Sequence, residues 1–140
     1  MGDCIFCKIA KGEIPHGKIY EDKNTCAFLD VRPASIKGGH TLIIPKKHFE
    51  LITDVPDNIL ADLIKTVKKV TNVLLKKAEG VNVLQNNKDA AGQFVKHVHF
   101  HLIPRYKDDG IIIEKWEQKK YGKGEMEKLA GELRMSLGRV

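Results

Sequence analysis

The sequence has few cysteines, no long apolar run and no repeated or low-complexity segment. Its three cysteines are too few, and odd in number, for a disulfide framework. The N-terminus lacks the charged start and the apolar core of about 7–15 residues that mark a secretory signal peptide, so we expect a reducing, cytoplasmic location. No apolar run approaches the roughly 20 residues that a helix needs to cross a bilayer, which excludes a membrane-spanning role.

The charged residues also lack a dense block of one sign. The formal net charge of +6 favours anionic partners such as nucleotides, nucleic acid or acidic membrane surfaces. The lysines are nevertheless spread along the chain, in pairs such as Lys46–Lys47 and Lys119–Lys120, which is typical of a charged surface. A chain of 140 residues with 42% hydrophobic content is long enough for one compact domain and too short for two. We therefore expect a single domain over residues 1–140.

Short β-prone stretches separated by turn residues follow the N-terminal segment. A short helix is predicted from Cys4 to Ala10, with its end near Gly12. The predicted strands that follow are Ile19–Tyr20, Cys26–Leu29 and Thr41–Ile44, bounded by Asn24, Pro33, Gly38–Gly39 and Pro45. This pattern is typical of sheet strands joined by turns.

A long amphipathic helix separates these strands from a second group. Asp54-Val55-Pro56 predicts its start, with a capping carboxylate and a proline in the first turn, and Gly80 predicts its end. The remaining predicted elements are the strand Val81–Leu84, the polar loop Gln85–Gly92, the strand Phe94–Ile103 and a last helix with apolar residues Met126, Leu129, Ala130, Leu133 and Leu137. Strands on both sides of one long helix predict an α+β fold with an antiparallel sheet.

The segment His97-Val98-His99-Phe100-His101 carries three histidines at alternate positions. In an extended segment all three imidazoles would point to the same face. Imidazole, with an ordinary pKa of about 6.5, can act as nucleophile, proton donor or metal ligand near neutral pH. The triplet therefore indicates either phosphoryl chemistry or a metal site. Amide donors from Asn86, Gly92 and Gln93 beside it favour phosphate binding.

The segment from Gly92 to Arg105, GQFVKHVHFHLIPR, resembles the signature of the histidine-triad (HIT) nucleotide-binding family. Gly39–His48, GHTLIIPKKH, is similar to the family's second signature, and Cys4–Ile9, CIFCKI, is similar to its N-terminal segment. The resemblance thus extends from Cys4 to Arg105. It implies the HIT-like fold, an antiparallel sheet of about five strands with one long and one C-terminal helix.

The resemblance assigns catalytic roles to four side chains. His99 is expected to attack the α-phosphorus of a nucleotide and form a nucleotidyl-histidine intermediate, which water then cleaves. His101 is expected beside the leaving group or a phosphate oxygen, and His40 is expected to complete the histidine set. Gln93 is expected to stabilise the charge that develops on the phosphate. The expected phosphate-binding residues are Asn86, Gly92, Gln93, Val95, His99 and His101.

The resemblance also implies a base and ribose site. Asp30 is expected to accept hydrogen bonds from the ribose hydroxyls. The apolar slot for a purine is expected to be lined by Ile5, Phe6, Ile9, Phe28, Leu29 and Val31. Ile and Val are core residues by default, so a purely structural role is the alternative for the aliphatic members. Phe94 stands where several relatives carry Ser or Thr, so a hydroxyl contact to phosphate is missing, and we expect this ring to face the core.

Cys4 and Cys7 have the C-x-x-C spacing at which two thiolates can share a zinc ion. A redox dithiol, or two reduced cysteines without a metal, are the alternatives. In zinc-bearing relatives two histidines complete the site, and they correspond here to His48 and His97. The resemblance is to a zinc-containing member of bacterial or archaeal type, whose closed Cys2His2 site makes the Zn²⁺ structural. Cys26 has no partner by spacing and is expected in the core.

These motifs predict an enzyme, either a hydrolase or a nucleotidyltransferase. Its expected substrate is an adenosine nucleotide, as a phosphoramidate, an acyl-adenylate or a dinucleoside polyphosphate, from which AMP is released. The alternative is a zinc-stabilised module that binds nucleotide or nucleic acid without turnover. Scattered lysines without interleaved aromatic residues argue against nucleic acid as the partner. By resemblance we expect a homodimer, and nothing in the sequence indicates a membrane partner.

Overall fold

A computed structural model describes residues 2–113 and 115–138 of the chain. Three α-helices and five β-strands make up its regular structure, together with 3-10 turns at Ile52–Asp54 and Asp89–Ala91. In chain order the elements are α1 (Ile5–Ala10), β1 (Lys18–Glu21), β2 (Thr25–Leu29), β3 (Thr41–Pro45), α2 (Asp57–Leu74), β4 (Gly80–Gln85), β5 (Phe100–Arg105) and α3 (Glu125–Leu137).

The strands form one antiparallel sheet in the order β1-β2-β3-β5-β4. This confirms the predicted α+β fold with five strands, one long helix and one C-terminal helix. The last two strands form a hairpin in which Gln85 lies opposite Phe100 and Leu84 lies opposite His101. On its other side, β5 pairs with β3, and His101 there lies opposite Leu42. The histidine end of β5 is therefore enclosed between two neighbouring strands.

Each face of the sheet is covered by one helix. On the first face, Leu63, Val67 and Val70 of α2 pack in one core with Val98, just ahead of β5, and Phe100 of β5. A hydrogen bond of 2.8 Å between the hydroxyls of Thr25 and Thr66 joins the helix to the sheet on that side. The opposite face is covered by α1, and its core consists of Phe6, Ile9, Cys26, Phe28, Leu42 and Ile44. The predicted burial of Cys26 is confirmed.

The bounds of the long helix and of the last strand differ most from the prediction. The long helix begins at Asp57 and ends at Leu74, because Asp54 belongs to the preceding 3-10 turn, where its carboxylate accepts the N–H of Leu51 at 3.0 Å. Gly80 does not end the helix but opens β4. The last strand begins at Phe100 rather than Phe94. Ahead of that strand, the backbone bonds to a loop, since the N–H of Val98 donates to the carbonyl of Phe49 at 2.7 Å.

The C-terminal helix α3 forms as predicted, but none of its described residues is buried. Its apolar side chains and the ring of Trp116 face solvent. The described helices include none that is long and apolar enough to span a membrane.

Candidate active site and metal site

The three histidines of the triplet lie on the α1 face of the sheet. Val98 and Phe100, which alternate with them, are buried in the core under α2. On the other face, the ring of Phe6 packs edge-on against His97 and His99 at centroid distances of 5.9 and 5.1 Å. The predicted alternation is confirmed, although only His101 belongs to a regular strand.

His99 is held in one tautomer by the backbone of the same segment. Its Nδ1 lies 2.7 Å from the carbonyl oxygen of His97, so Nδ1 carries the proton and donates it. The lone pair of the imidazole is then on Nε2. The residue is 6% exposed, and burial lowers its pKa, so the ring is neutral near pH 7. His99 is therefore a neutral nitrogen base with a fixed lone pair.

His40 and His101 form a second pair beside His99. The backbone N–H of Ala34 donates to Nδ1 of His40 at 2.9 Å, which places the His40 proton on Nε2. That Nε2 donates to Nδ1 of His101, also at 2.9 Å. The proton of a neutral His101 is consequently on Nε2, where it is available to a ligand. The carboxylate of Asp30 lies 3.5 Å from Nε2 of His40 and 3.9 Å from Nδ1 of His101.

A glycine turn places His40 immediately before β3. Gly38 has a φ of +93°, and a Cβ added there would lie 2.7 Å from the hydroxyl oxygen of Tyr106. A larger residue would therefore displace the chain just ahead of His40.

Burial, followed by the neighbouring His99 and His40, lowers the pKa of His101 to about 4. Burial also lowers the pKa of His40, despite the opposing effect of Asp30. All three rings are neutral at neutral pH.

A separate cluster joins Cys4, Cys7, His48 and His97, whose ligand atoms all lie within 4.8 Å of one another. Nδ1 of His97 lies 3.4 Å from Sγ of Cys4 and 3.6 Å from Sγ of Cys7. Nδ1 of His48 lies 3.3 Å from Sγ of Cys7. In a tetrahedral zinc site, bonds of about 2.3 Å to sulfur and about 2.0 Å to nitrogen separate these atoms by roughly 3.5 Å. The donor set therefore has the type and spacing of a closed zinc site.

A second group, formed by Asp30, His40 and His101, also has its ligand atoms close together. Hydrogen bonds to the outer ring nitrogens of the histidines distinguish the two groups. Nε2 of His97 donates to the carbonyl of Pro45 at 2.8 Å, which leaves the lone pair on Nδ1, facing the thiols. In His40 the nitrogen facing the group carries the proton, because the other nitrogen already accepts the N–H of Ala34. Metal ligation there would require an imidazolate. Of these two groups, it is the cysteine cluster that has a histidine lone pair facing thiol ligand atoms, whereas the lone pair of His101 already accepts the N–H of His40.

The HIT domain family model matches residues 11–108 of the sequence. This chain belongs to the HIT family. A curated adenosine 5′-monophosphoramidase of Candida albicans is 51% identical over 108 residues, which cover 73% of this chain and 70% of that protein. An adenylylsulfatase of Arabidopsis thaliana is 41% identical over 111 residues, covering 78% of this chain and 55% of that protein. The crystal structure of a histidine triad nucleotide-binding protein from Candida albicans matches with a TM-score of 0.88 and 41% identity, covering 98% of this chain and 99% of that chain.

In this HIT protein the residues expected around a purine divide into two groups. Phe6, Ile9 and Phe28 are buried core residues, and Phe6 meets Phe28 edge-on at 5.6 Å. The other three expected residues, Ile5, Leu29 and Val31, are exposed. His16 also contacts this group, with its ring 5.2 Å from that of Phe28. His16 lies outside the three motifs of the sequence, so residue type gave no signal for it.

The side chain of Gln93 holds the loop beside the histidines, and its role toward a phosphate stays a prediction. Its amide is 1% exposed, with Oε1 accepting the N–H of Lys88 at 2.8 Å and Nε2 donating to the carbonyl of Glu50 at 2.6 Å. Both polar ends of the amide therefore hold the loop, with one hydrogen bond each. The expected position of Phe94 is corrected: its ring is 92% exposed rather than buried in the core.

Loop residues near the histidines keep the expected proximity. A Cβ on Gly92 would lie 3.8 Å from Nδ2 of Asn86, so these two expected phosphate-binding residues are neighbours. Val95 is partly buried against the core under α1. Asp30 accepts the N–H of Arg32 through Oδ1 at 2.9 Å and points Oδ2 toward His40. Two backbone groups, the carbonyl of Pro45 and the N–H of Ala34, fix the tautomers of two histidines. The types of these residues gave no indication of that role.

The low pKa of His101 predicts a loss of stability in acid. The unfolded chain binds a proton at His101 below about pH 6.5, whereas the folded chain binds it only near pH 4. The stability from this residue is thus present above pH 6.5 and lost as the pH falls toward 4. Between pH 7 and pH 5 the loss amounts to about 2 kcal/mol.

Urea unfolding of wild type and His101→Gln at the two pH values measures this effect. We expect the wild type to lose about 2 kcal/mol more unfolding free energy than the variant between pH 7 and pH 5. Equal losses in the two proteins would show that His101 titrates alike in the folded and unfolded states.

Proposed function

We propose that this HIT protein is a nucleotide hydrolase that attacks the α-phosphorus of an adenosine nucleotide with Nε2 of His99 and releases AMP. The observation that carries the proposal is the hydrogen bond of 2.7 Å from Nδ1 of His99 to the carbonyl of His97. It keeps a buried, neutral lone pair on Nε2 for attack on phosphorus. Similarity to an adenosine 5′-monophosphoramidase and to an adenylylsulfatase supports an adenosine nucleotide as the substrate.

The first step forms a covalent nucleotidyl-histidine. Nε2 of His99 donates its lone pair to the α-phosphorus while the bond from phosphorus to the leaving atom breaks. The leaving atom keeps that electron pair and needs a proton. A neutral His40–His101 pair cannot supply one without becoming an imidazolate. The pair therefore takes up a proton together with the phosphate anion, which raises the pKa of His101, and Asp30 stabilises the resulting charge.

The second step restores the enzyme. A water molecule attacks the phosphorus and gives its proton to Nε2 of His101, and the electron pair of the P–N bond returns to His99. The products are AMP and the protonated leaving group, so one water is consumed per turnover. Backbone N–H groups around Val95 and the amide of Asn86 bind the phosphate oxygens, and Gly92 leaves room for them beside Asn86. Asp30 accepts the ribose hydroxyls, and the base lies against the ring of Phe6.

We further propose that Cys4, Cys7, His48 and His97 hold a structural zinc ion, as in the zinc-containing bacterial and archaeal type. The distances and the His97–Pro45 hydrogen bond fit that ion. When bound, zinc would neutralise two thiolates and fasten the start of α1 to the histidine segment. His97 would then serve both sites, through Nδ1 at the metal and through its carbonyl at His99.

The assembly proposed is a cytoplasmic homodimer of a single HIT domain that extends over residues 1–140. Its support is the exposed apolar surface of α3, where Leu133 and Leu137 lie in solvent in the single chain. Exposed apolar side chains at helical spacing favour burial against another surface. Size-exclusion chromatography with light scattering tests the state directly.

AMP release tests the proposed function. Purified protein is mixed with adenosine 5′-phosphoramidate or diadenosine tetraphosphate, and AMP is quantified by chromatography. The reaction is also quenched rapidly without acid, and intact-mass spectrometry is used to detect one covalently bound adenylyl group per active site. Turnover with a trapped adenylyl adduct supports the mechanism. A folded protein that binds AMP yet turns over neither substrate would instead favour the binding module without catalysis.

A further inference from the structure

Lys88 has a backbone conformation that residues with a Cβ rarely adopt. Its φ is 72° and its ψ is 167°, in a region that is occupied almost only by glycine. Among the described residues, Asp108 is the other non-glycine with positive φ, at 60°. A glycine at position 88 would adopt the same backbone without strain. The presence of lysine there therefore needs an explanation.

The loop imposes this conformation through several hydrogen bonds. The N–H of Lys88 donates to Oε1 of the buried Gln93 at 2.8 Å, and the carbonyl of Lys88 accepts the N–H groups of Ala91 and Gln93, both at 3.1 Å. Gln93 is itself fixed to the carbonyl of Glu50. The backbone of residue 88 is thus determined by its surroundings, and its side chain contributes nothing to that arrangement.

The strained residue lies on the loop next to the nucleophile. Gln85 and Phe100 are the last pair between β4 and β5 at this end of the hairpin. Residue 86 follows Gln85, and His99 precedes Phe100, so the loop begins beside His99. Gly92 returns close to Asn86 at the other end of the loop. Residues 86–92 therefore span the end of the sheet where the phosphate is proposed to bind.

The ammonium group of Lys88 is available to a ligand. The other lysine of this region, Lys96, is paired with the carboxylate of Asp89. The side chain of Lys88 is exposed, and no hydrogen bond or ion pair to its ammonium group occurs within residues 2–113 and 115–138. The loop therefore presents one unpaired cation at the edge of the proposed phosphate site.

We propose that Lys88 is a specificity-determining residue that binds an anionic leaving group. Such leaving groups are oxyanions, namely the sulfate of an adenylyl sulfate or the nucleoside polyphosphate of a dinucleoside polyphosphate. Each gains negative charge as its bond to the α-phosphorus breaks, and a nearby cation stabilises that charge. The ammonia released from a phosphoramidate carries no negative charge and gains nothing from Lys88. This inference rests on the proposed function, and it adds which class of nucleotide the site prefers.

Four variants separate charge from backbone strain. Lys88→Met removes the charge and keeps the strain, Lys88→Gly removes both, and Lys88→Arg keeps both. Lys23→Met removes one positive charge in the turn before β2, at the opposite end of that strand from Asp30. For each protein, kcat/KM is measured with adenylyl sulfate, diadenosine tetraphosphate and adenosine 5′-phosphoramidate, and Tm is measured by calorimetry.

The selectivity ratio is kcat/KM for an anionic-leaving-group substrate divided by kcat/KM for the phosphoramidate. We expect Lys88→Met and Lys88→Gly to lower this ratio about tenfold, which is typical of one hydrogen bond to a charged group. The effect should shrink in high salt. Lys88→Arg and Lys23→Met should keep the wild-type ratio. Lys88→Gly should also raise Tm by about 3–6 °C, because it relieves the strain.

The outcomes distinguish the two proposals. A lower ratio for either anionic substrate supports the role of Lys88, and the substrate affected identifies the leaving group as sulfate or polyphosphate. An unchanged ratio in Lys88→Met and Lys88→Gly, with wild type active, overturns the role of Lys88 alone. A folded wild type that turns over none of the three substrates overturns the proposed function and the inference with it.

Discussion

Replacing His99 by alanine is expected to lower the rate of AMP release by about 10⁴-fold or more, as is typical when a covalent nucleophile is removed. The lone pair of its Nε2 has no substitute in the site. His97 faces the thiols through Nδ1 and uses Nε2 for Pro45, and His101 carries its proton on the nitrogen that faces a ligand. Steady-state AMP release from adenosine 5′-phosphoramidate measures the loss.

A His101→Ala variant is the matched comparison. It removes a proton donor rather than the nucleophile, so we expect a loss of about 10²–10⁴-fold and continued formation of the adenylyl-protein adduct. In His99→Ala the adduct should be absent, while AMP binding measured by calorimetry and Tm remain close to wild type. An adduct of unchanged amount in His99→Ala would assign the nucleophile to another residue and contradict the proposed mechanism.

The faces of the sheet and of the long helix were predictable because burial imposes a period on the sequence. The alternation around Val98 and Phe100 places those side chains under α2 and the histidines on the opposite face. The spacing of Leu63, Val67 and Val70 likewise selects the buried side of α2. Such patterns give the number of elements and their order. They do not give the residue at which an element ends.

The boundaries depended on hydrogen bonds that residue types do not reveal. β5 begins at Phe100 because the N–H of Val98 is used by Phe49 and the carbonyl of His97 is used by His99. For the same reason the sequence indicated the three histidines but not their tautomers, since these depend on backbone groups of Ala34 and Pro45. Local pattern therefore identifies the reacting side chains, and tertiary contacts determine their protonation.

Phe94 shows how a motif can mislead about a single residue, and Gln93 shows how much a residue type leaves open. A glutamine beside histidines suggests a phosphate ligand, and the structure adds that the backbone of Lys88 and the carbonyl of Glu50 each bind one end of its amide. A phenylalanine in a β-prone run suggests a core residue. The run is a loop at that point, so the ring is exposed. In both cases the surrounding chain, rather than the residue type, decides what the side chain contacts.

Replacing Cys7 by serine is expected to abolish zinc binding and to lower Tm by about 10 °C. Sγ of Cys7 is the atom that lies near both histidine ligands, at 3.3 Å from His48 and 3.6 Å from His97. A metal present at about 1,000 times its Kd stabilises the folded state by about 4 kcal/mol. For a domain of this size, 1 kcal/mol corresponds to a Tm change of about 3 °C. Elemental analysis and calorimetry measure the two effects.

Cys26→Ala is the control that distinguishes metal loss from the loss of any thiol. Cys26 is buried in the core and is not one of the four clustered residues, so its replacement should destabilise the core but leave one zinc per chain. Chelation should then lower the Tm of wild type and Cys26→Ala alike and leave that of Cys7→Ser unchanged.

The reaction of His99 gives an independent readout of zinc binding, because the carbonyl that fixes His99 belongs to the zinc ligand His97. Zinc removal should therefore slow AMP release as well. Wild-type protein that carries no zinc after equilibration with excess metal, with a Tm insensitive to chelation, would leave the cluster as reduced cysteines and histidines without a metal.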